Sequence, residues 1–407
     1  MRRALLGVLL FAAAGCDDSW LQFHGNGANS GFRPVKTGPA TRETWRVRVG
    51  RAAGKQPVIG PDGTIYVVTA ELAIPPAPPQ LVAVEPGGTI RWRMPLLDPL
   101  HWGSPAVAPN GDLYVITSTF TTGLGYSSRL HKVDPAGTLA WTYDYPDGGS
   151  TFASPKVWPS SEGVHVVTLL SGNQRQESLP ELIIVDQDKQ LLARRVVDTC
   201  HDGRPTHGAP PVDSTPAILS KPGDPEAVLV VAGLCAVEAY RWRPPDLTFL
   251  GAQDLNDQPA SVSSPAAFDG GLLAVGRALA GGGGRLYAID GITGARLWEV
   301  DTKEPIVATP ASFGRQIYVP TEHHLQVVDY NGDLVASWDF DPGETADQSV
   351  GLSANLGYLV TSERLISFSF DLSRIESFPL RDSRSVAIGE DGTVYAMDGE
   401  DLVAFQD

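Results

Sequence analysis

Residues 285–298 read Arg-Leu-Tyr-Ala-Ile-Asp-Gly-Ile-Thr-Gly-Ala-Arg-Leu-Trp, and this stretch decides the fold. It predicts a short apolar strand that ends in aspartate, a Thr-Gly turn, and a second strand that ends in tryptophan. Upstream, Ser264-Pro265 opens another strand, and the Asp-Gly-Gly turn at 269–271 leads into a strand over 272–276. Aspartate followed by glycine between apolar runs is a strong hairpin signal. Residues 264–298 therefore predict four short antiparallel strands.

The same unit recurs along the chain. Six copies open with a small or polar residue before a proline, at Pro57, Pro105, Pro155, Pro216, Pro265 and Pro310. Degenerate seventh and eighth copies run from Leu352 to Ile375 and from Val386 to Phe405. The prolines lie 45 to 61 residues apart, close to the roughly 40–50 residues of a four-stranded propeller blade. An open β-sandwich would lack this period, so the sequence predicts an all-β fold, an eight-bladed β-propeller.

The two ends of the repeat region complete one another. The eighth copy stops at Phe405 without an outer strand, whereas residues 44–49 form a tryptophan-containing strand that precedes the first copy. Pairing of this N-terminal strand with the last blade would close the ring and remove an open sheet edge. We therefore expect the propeller domain to span residues 44–407.

Five of the nine tryptophans recur at the end of a repeat. They are Trp45, Trp92, Trp141, Trp298 and Trp338. A stripe of large aromatic side chains is far more often core than binding site. We interpret all five as occupying one shared position and packing between neighbouring blades.

Composition excludes several classes of protein. Glycine (43) and proline (33) are abundant, hydrophobic residues make up 42% and charged residues 19% of the 407 positions. Disordered chains carry more charge and less apolar content, and coiled coils carry less glycine and proline. The net charge of −16 would repel a phosphate backbone, so we expect no nucleic-acid partner.

The first residues predict export. Met1-Arg2-Arg3 is followed by an apolar run over residues 4–14, which is too short to span a bilayer of roughly 30 Å. The run ends in Ala13-Ala14-Gly15-Cys16, which resembles the lipobox of bacterial lipoproteins. We expect a signal peptide over 1–15, lipidation at Cys16, and a tether and lead-in segment over 16–43. An ordinary secretory signal with an incidental cysteine is the alternative.

Cys200 and Cys235 are the other two cysteines. In a chain bound for an oxidising compartment, a disulfide between them is plausible. It would fasten the insertion near residues 200–211, which lengthens the spacing between the third and fourth copies. Two unpaired buried thiols are the alternative. His201 and His207 flank the same insertion, and we interpret them as solvated loop residues and not as metal ligands.

Residues 288–298 follow the pattern Ala-x-Asp-x-x-Thr-Gly-x-x-x-Trp, which resembles the tryptophan-docking repeat of the pyrroloquinoline-quinone-like propellers. The opening segment from Trp20 to Gly31 is similar to the stretch that often precedes the first blade in that group. The resemblance covers roughly residues 20–407. Together with Cys16, it looks most like the BamB-type lipoproteins of the β-barrel assembly machinery and their relatives.

The same resemblance also implies an enzyme alternative, a quinone-dependent dehydrogenase. Those enzymes hold a quinone against a tryptophan, with Ca²⁺ bound by carboxylate and amide oxygens. In the alcohol dehydrogenases a disulfide of adjacent cysteines covers the quinone. This sequence has no adjacent cysteines, no Cys-x-x-Cys-His haem motif and no residue that aligns with the calcium ligands. We expect no catalytic residue, no metal site and no cofactor.

We therefore predict a monomeric, lipid-anchored propeller that acts as a non-catalytic scaffold in the cell envelope. Its partner would be an envelope protein, with components of outer-membrane barrel assembly as the leading candidates. We place it at the periplasmic face of the outer membrane rather than the inner membrane. A generic ligand-binding propeller is a further alternative. Three segments depart most from the repeat, and we expect them to contact the partner: 73–79, 119–128 and 200–211.

Overall fold

The structure, a computed structural model, is built from 34 β-strands in eight sheets. It describes residues 20–70, 79–100, 103–121, 125–145, 149, 151–171, 179–197, 214–220, 223–233, 236–254, 259–268, 271–279, 282–346 and 348–406. Within these ranges there is no α-helix, and so none that could cross a bilayer. The prediction of an all-β, eight-bladed propeller is confirmed.

Blades 1 to 4 each correspond to one copy of the repeat. Blade 1 contains β2 (Arg51–Ala52), β3 (Val58–Ile59), β4 (Ile65–Ala70), β5 (Gln80–Val84) and β6 (Ile90–Pro95). Blade 2 contains β7 (Ala106–Val107), β8 (Leu113–Thr121), β9 (Gly125–Val133) and β10 (Leu139–Asp144). Blade 3 contains β11 (Lys156–Ser160), β12 (Gly163–Leu170), β13 (Glu181–Asp186) and β14 (Leu191–Val196). Blade 4 contains β15 (Ala217–Leu219), β16 (Ala227–Ala232), β17 (Ala236–Arg243) and β18 (Asp246–Asp254).

Blades 5 to 8 complete the ring. Blade 5 contains β19 (Pro259–Val262), β20 (Ala266–Phe268), β21 (Leu272–Leu279), β22 (Gly284–Asp290) and β23 (Arg296–Asp301). Blade 6 contains β24 (Ala311–Phe313), β25 (Gln316–Pro320), β26 (His324–Asp329) and β27 (Leu334–Asp339). Blade 7 contains β28 (Gly351–Leu352), β29 (Gly357–Val360), β30 (Arg364–Phe368) and β31 (Ile375–Pro379). Blade 8 contains β32 (Ala387–Ile388), β33 (Val394–Asp398), β34 (Asp401–Phe405) and β1 (Glu43–Arg48).

The N-terminal strand closes the ring, as the sequence predicts. β1 pairs antiparallel with β34, and Trp45 lies opposite Ala404. The last blade thus receives its outer strand from the opposite end of the chain. Ring closure places the outer strand of each blade at the rim and the inner strand of each blade at the central channel.

The propeller has two distinct faces because the four strands of a blade run antiparallel. The turns between the first and second strands and between the third and fourth strands lie on one face, which we call the turn face. The connections between the second and third strands, and those between successive blades, lie on the other. We call this second surface the loop-bearing face.

Four of the five predicted tryptophans occupy one position in their blades and contact the next blade. The indole N–H of Trp45 donates to the carbonyl oxygen of Pro86, and that of Trp92 donates to the carbonyl of Pro135. Trp141 and Trp298 make the matching bonds to Gln187 and Tyr330. Each acceptor lies in a turn of the following blade, so the tryptophans join neighbouring sheets.

Trp338 departs from this pattern. It lies opposite Leu325, and the position occupied by the other tryptophans is Ala336, opposite Val327. Trp338 follows its turn glycine by six residues instead of four, which moves it two residues along the strand. There its ring packs under the guanidinium of Arg364 in blade 7, 5.8 Å away. The interpretation that all five tryptophans share one position is therefore wrong for Trp338.

Replacing the turn glycine beneath a tryptophan should destabilise the ring. Gly137 has φ +86°, and a Cβ there would lie 2.6 Å from the Trp92 ring. We expect Gly137→Ala to lower the free energy of unfolding by about 2 kcal/mol, from backbone strain and steric overlap together. Denaturant unfolding measures this loss. Gly87→Ala is the matched control because its Cβ would meet no atom within 4 Å, and an equal loss in both variants would contradict the prediction.

Candidate functional site

Residues 20–33, which we call the channel segment, line the channel and contact all eight blades in turn. Six inner strands donate a backbone N–H to carbonyl oxygens of this segment. The pairs are Ile59 to Trp20, Val107 to Leu21, Ile218 to Gly27, Ala267 to Ala28, Ser312 to Ser30 and Leu352 to Gly31. The donors sit at one equivalent position, three residues after the polar residue that opens each repeat. The segment therefore satisfies inner-edge N–H groups that the channel would otherwise leave unpaired.

Side chains of the channel segment make the two remaining blade contacts. The amide of Gln22 bonds both the N–H and the carbonyl oxygen of Val157 in blade 3. Arg33 donates to the carbonyl oxygen of Ile388 in blade 8. The Asn29 amide donates to carbonyl oxygens in blades 4 and 5, at Thr215, Pro216 and Pro265. These bonds fix the register of the segment around the ring.

A buried lysine and a buried histidine hold the bend of the channel segment. The Lys156 ammonium donates to the carbonyl oxygens of Phe23 and Asn26, both at 2.7 Å. Burial lowers the pKa of Lys156 well below its usual value. The ring nitrogens of His24 lie 2.6 Å from the Asn29 carbonyl oxygen and 2.9 Å from that of Val350. Burial lowers the pKa of His24 to about 4, so the ring is neutral at pH 7.

A belt of buried hydroxyls joins the blades on the loop-bearing side of the channel segment. Each hydroxyl accepts the backbone N–H of the equivalent residue in the preceding blade. The donor and acceptor pairs are Gln56 to Ser104, Ser104 to Ser154, Ser154 to Thr215, Thr215 to Ser264, Thr309 to Ser349 and Ser349 to Ser385. These are the polar residues that open the repeats, and their hydroxyls are engaged in holding the ring together.

The described channel residues do not fit a quinone with its calcium ion. The hydroxyls of the belt are occupied by bonds between blades. Across the described ranges, no three His, Cys, Asp or Glu side chains lie together in a way that could hold a metal ion.

The loop-bearing face is elaborated on the N-terminal half of the ring. The hairpin of β8 and β9 has nine residues in each strand, whereas β29 and β30 of blade 7 have four and five. The strands that flank residues 71–78, 172–178 and 198–213 also end on this face, and all three ranges belong to blades 1 to 4. In blades 5 to 8, the connection between the second and third strands has two to four residues.

Exposed apolar side chains on this face follow the same asymmetry. They are Leu97 (64% exposed), Phe120 (48%), Val196 (43%), Leu179 (38%) and Tyr126 (36%). All five, which we call the apolar loop-face residues, belong to blades 1 to 3 or their connections. In the described part of blades 5 to 8, the large exposed apolar residues are Ile292, Leu297, Leu334 and Val335. Those four lie toward the turn face, at or just after turns. Leu139 and Leu191 of blades 2 and 3 also lie toward the turn face. On the loop-bearing face, by contrast, the exposed apolar residues are confined to one half of the ring, and such a local cluster is typical of a protein-binding surface.

The long hairpin of blade 2 is braced on both sides. Its aromatic pair, Phe120 and Tyr126, has ring centroids 5.0 Å apart. Leu100 and Ser118 exchange two backbone hydrogen bonds, and the N–H of Gly149 donates to the Tyr126 carbonyl oxygen. The hairpin is therefore held in place by both neighbouring connections, which lowers the entropy lost on binding.

A polar network anchors the base of this hairpin. The Thr117 hydroxyl donates to the buried Asp98 carboxylate at 2.6 Å and contacts the His131 ring at 2.7 Å. Arg129 donates to the other oxygen of Asp98 at 3.0 Å. Burial alone would raise the pKa of Asp98, but bonds from His131 and Thr117 and the charge of Arg129 outweigh it, so the pKa is lowered.

A shallow apolar groove lies beside this network, between blades 1 and 2. Its volume is about 280 Å³, and Met94, Leu96, Leu97, His131 and Leu139 line it with Pro95, Gly137 and Thr138. Leu97 thus belongs both to the groove and to the apolar loop-face residues. The groove has the size to take one or two apolar side chains of a partner.

Several predicted site residues lie outside the described ranges. These are Cys16, Cys200, Cys235, His201, His207, the insertion 200–211 and residues 73–78 of the proline-rich segment. Lipidation at Cys16 and the disulfide therefore stay predictions. Of segment 119–128, the described residues form the braced hairpin. The sequence interpretation missed Lys156. This lysine lies two residues after the polar residue that opens its repeat, where six other copies have alanine or glycine.

Comparison with known families supports the repeat assignment. Residues 241–406 match the family model described as outer membrane protein assembly factor BamB. No curated protein sequence matches the chain.

Three solved structures share the fold. BamB from Moraxella catarrhalis has a TM-score of 0.53 and 13% identity, over 93% of this chain and 97% of that chain. A europium-containing methanol dehydrogenase has a TM-score of 0.66 and 12% identity, over 93% and 89%. The quinohemoprotein alcohol dehydrogenase ADHIIG from Pseudomonas putida HK5 has a TM-score of 0.68 and 10% identity, over 96% and 80%. These likenesses concern the fold alone, and with the family match and the repeat they identify the chain as a β-propeller of the pyrroloquinoline-quinone-like repeat type.

Proposed function

We propose that this protein is a non-catalytic scaffold that binds an envelope protein through the loop-bearing face of blades 1 to 3. The observation that carries the proposal is the position of the apolar loop-face residues. On the loop-bearing face, the exposed large apolar residues of the described ranges all belong to blades 1 to 3 or their connections. A braced aromatic pair on the blade 2 hairpin and an apolar groove between blades 1 and 2 supply the kind of anchors that dominate protein interfaces.

The family match supports different roles for the two halves of the ring. The matched range, 241–406, begins within blade 4 and covers blades 5 to 8. The elaborated surface belongs to the other half. We infer that the regular half supplies the common framework and that blades 1 to 3 determine which partner is bound. A component of outer-membrane barrel assembly is our leading candidate for that partner.

Anchoring through Cys16 would place the scaffold beside membrane-bound partners. Only three residues separate Cys16 from Trp20, which is buried in the channel. Three or four extended residues reach roughly 10–14 Å. A lipid at Cys16 would therefore hold one mouth of the channel close to the bilayer. We propose the periplasmic side of the outer membrane as its location.

Removing the aromatic pair should abolish partner capture without unfolding the protein. We expect the double variant Phe120→Ser and Tyr126→Ser to weaken binding at least tenfold, because two central aromatic anchors are lost. The measurement is recovery of barrel-assembly proteins after photo-crosslinking from position 97, which is exposed on the same face and unchanged in the variant, in envelope membranes. The matched control is Leu334→Ser with Val335→Ser, since both residues are about half exposed toward the turn face. Equal recovery from both double variants, each melting like the parent, would contradict the proposal.

A quinone-dependent dehydrogenase is the second candidate function. Two dehydrogenase structures superpose with higher TM-scores than BamB does, whereas the described channel residues do not fit the cofactor. A thermal-shift titration with pyrroloquinoline quinone and Ca²⁺ separates the two functions. A saturable rise in melting temperature would favour the enzyme, and an unchanged melting temperature favours the scaffold.

A further inference from the structure

Three of the described connections between blades are fastened by the same kind of polar contact, which we call a clasp. In each clasp, a carboxylate of the connection accepts a hydrogen bond from a threonine hydroxyl near the end of the second strand. A basic side chain of the third strand contacts the same carboxylate. The members are Asp98, Thr117 and Arg129 in blade 2, Glu304, Thr321 and His324 in blade 6, and Glu344, Thr361 and Arg364 in blade 7.

The clasps of blades 6 and 7 match residue for residue. In both, the residue two positions after the carboxylate forms a backbone bridge with the threonine. The threonine N–H donates to the carbonyl oxygen of the basic residue at 2.9 Å in both. His324 therefore occupies in blade 6 the position that Arg364 occupies in blade 7. A guanidinium keeps its charge throughout the physiological pH range, whereas an imidazole changes its charge within that range.

The ring of His324 faces two carboxylates. Its Nδ1 lies 2.7 Å from the Glu304 carboxylate, and its Nε2 lies 3.3 Å from the Asp339 carboxylate. A neutral imidazole has one N–H and presents a lone pair at its other nitrogen, so only the imidazolium donates to both carboxylates at once. The side chains of His324 and Glu304 are 29% and 25% exposed, so water shields their contact only in part. Asp339 is 80% exposed, and solvent screens its contact more strongly.

Glu304 remains ionised while His324 changes its charge. Burial would raise the pKa of Glu304, but the bonds from the His324 ring and the His323 backbone N–H outweigh it, so the pKa is lowered. The His323 ring lies 3.3 Å from the other Glu304 oxygen and is half exposed. Among the described residues, the other charged groups of the packed elements lie beyond ion-pair distance of the His324 ring. These groups are Asp301, Lys303, Glu322, Asp341 and Arg364.

We propose that Glu304 and His324 form a pH-sensitive clasp on the connection between blades 5 and 6. At about pH 5.5 the imidazolium holds this connection against the blade 6 hairpin, and at about pH 8 the neutral ring loses one of its two carboxylate contacts. The charged ring stabilises the closed connection, so closure is favoured as the pH falls. Blade 7 has no such dependence because its clasp contains arginine. This proposal goes beyond the scaffold function and does not depend on the apolar loop-face residues.

The connection is closely packed when the clasp is closed. A Cβ at Gly284 of blade 5 would lie 2.4 Å from the Glu304 carbonyl oxygen. On the other side, the backbone N–H of Glu322 donates to the Pro305 carbonyl oxygen, and that of His323 donates to the Glu304 carboxylate. The exchange rates of these two amides therefore report how often the connection opens.

The test is hydrogen exchange of the full chain at pH 5.5 and pH 8, corrected for the intrinsic exchange rate at each pH. We expect protection of the Glu322 and His323 amides to be about two- to fivefold lower at pH 8, as a partly exposed ion pair is lost. The internal control is the amide of Ser362, which donates to the Thr345 carbonyl oxygen beside the blade 7 clasp. Its protection should be equal at the two pH values.

Variants separate the clasp from other causes of pH dependence. His324→Arg copies blade 7 and should give high protection at both pH values, whereas His324→Gln should give low protection at both. Arg364→His should transfer the pH dependence to the Ser362 amide. His323→Gln is the matched control and should keep the dependence of the parent.

Each contrary result would overturn the proposal. One is equal protection of the Glu322 and His323 amides at pH 5.5 and pH 8 in the parent. Another is an undiminished pH dependence in His324→Arg. Loss of the dependence in His323→Gln would assign the effect to His323 instead of His324.

Discussion

A chain that lacks residues 1–50 should aggregate, or melt far below one that begins at Trp20. The deletion removes β1, which is the outer strand of blade 8, and the channel segment, which contacts every blade. Blade 8 then exposes the edge of β34, and the inner strands lose their acceptors in the channel. The six hydrogen bonds to the segment are worth about 0.5–1.5 kcal/mol each against water, and the buried side chains of Trp20, Leu21 and Phe23 add about 1.5–3 kcal/mol each. The summed loss is comparable to the whole stability of a typical domain.

A chain that begins at residue 38 separates the two contributions. It keeps β1 and lacks the channel segment, so we expect an intermediate melting temperature. Calorimetry and size-exclusion chromatography of all three chains provide the measurement. Equal melting temperatures for the chains that begin at Trp20 and at residue 51 would show that neither ring closure nor the channel segment stabilises the fold.

Acidification should destabilise the propeller in part through His24. Burial lowers the pKa of His24 in the folded state to about 4, from 6.5 in the unfolded chain. Between these values the unfolded state binds more protons, so the free energy of unfolding falls as the pH falls. The full difference corresponds to about 3 kcal/mol at 1.36 kcal/mol for each unit of the pKa difference. The nearby positive charge of Lys156 acts in the same direction.

The variant His24→Gln should flatten this dependence. Its side-chain amide still donates one hydrogen bond but does not titrate. We expect a smaller loss of stability between pH 7 and pH 4.5 than in the parent, measured by urea unfolding at each pH. His323→Gln is the control, because His323 is half exposed at the edge of blade 6. The same pH slope in His24→Gln and in the parent would contradict the assignment.

The features that the sequence predicted are those that repeat within it. Eight copies of one unit indicated eight blades, and the unmatched strand around Trp45 indicated where the ring closes. The role of Lys156 was not predictable in this way, because its acceptors at Phe23 and Asn26 are more than 100 residues away in the chain. Trp338 shows a second limit. Its residue type fitted the stripe, but its register depended on the number of residues after a turn.

The hydroxyl belt lies between these two cases. The polar residue before each proline was visible as part of the repeat, for example at Ser104 and Ser154. Its function was not, because the bond partner of each hydroxyl belongs to the preceding blade. For the apolar loop-face residues, the sequence indicated some of the segments in which they lie but not which side chains would be exposed. The sequence singled out segment 119–128 as a departure from the repeat, but the exposure of Phe120 and Tyr126 depends on how the neighbouring connections pack.

The pairing of β1 with β34 has a consequence for biosynthesis. Glu43 lies opposite Phe405, so β1 finds its partner only after the strands of all eight blades, up to β34, have been made. The channel segment likewise has no complete binding surface until all eight blades exist. Long-range contacts of this kind slow folding. The ring therefore cannot close before the last blade has been made, and until then the first strand and the channel segment are left without most of their partners.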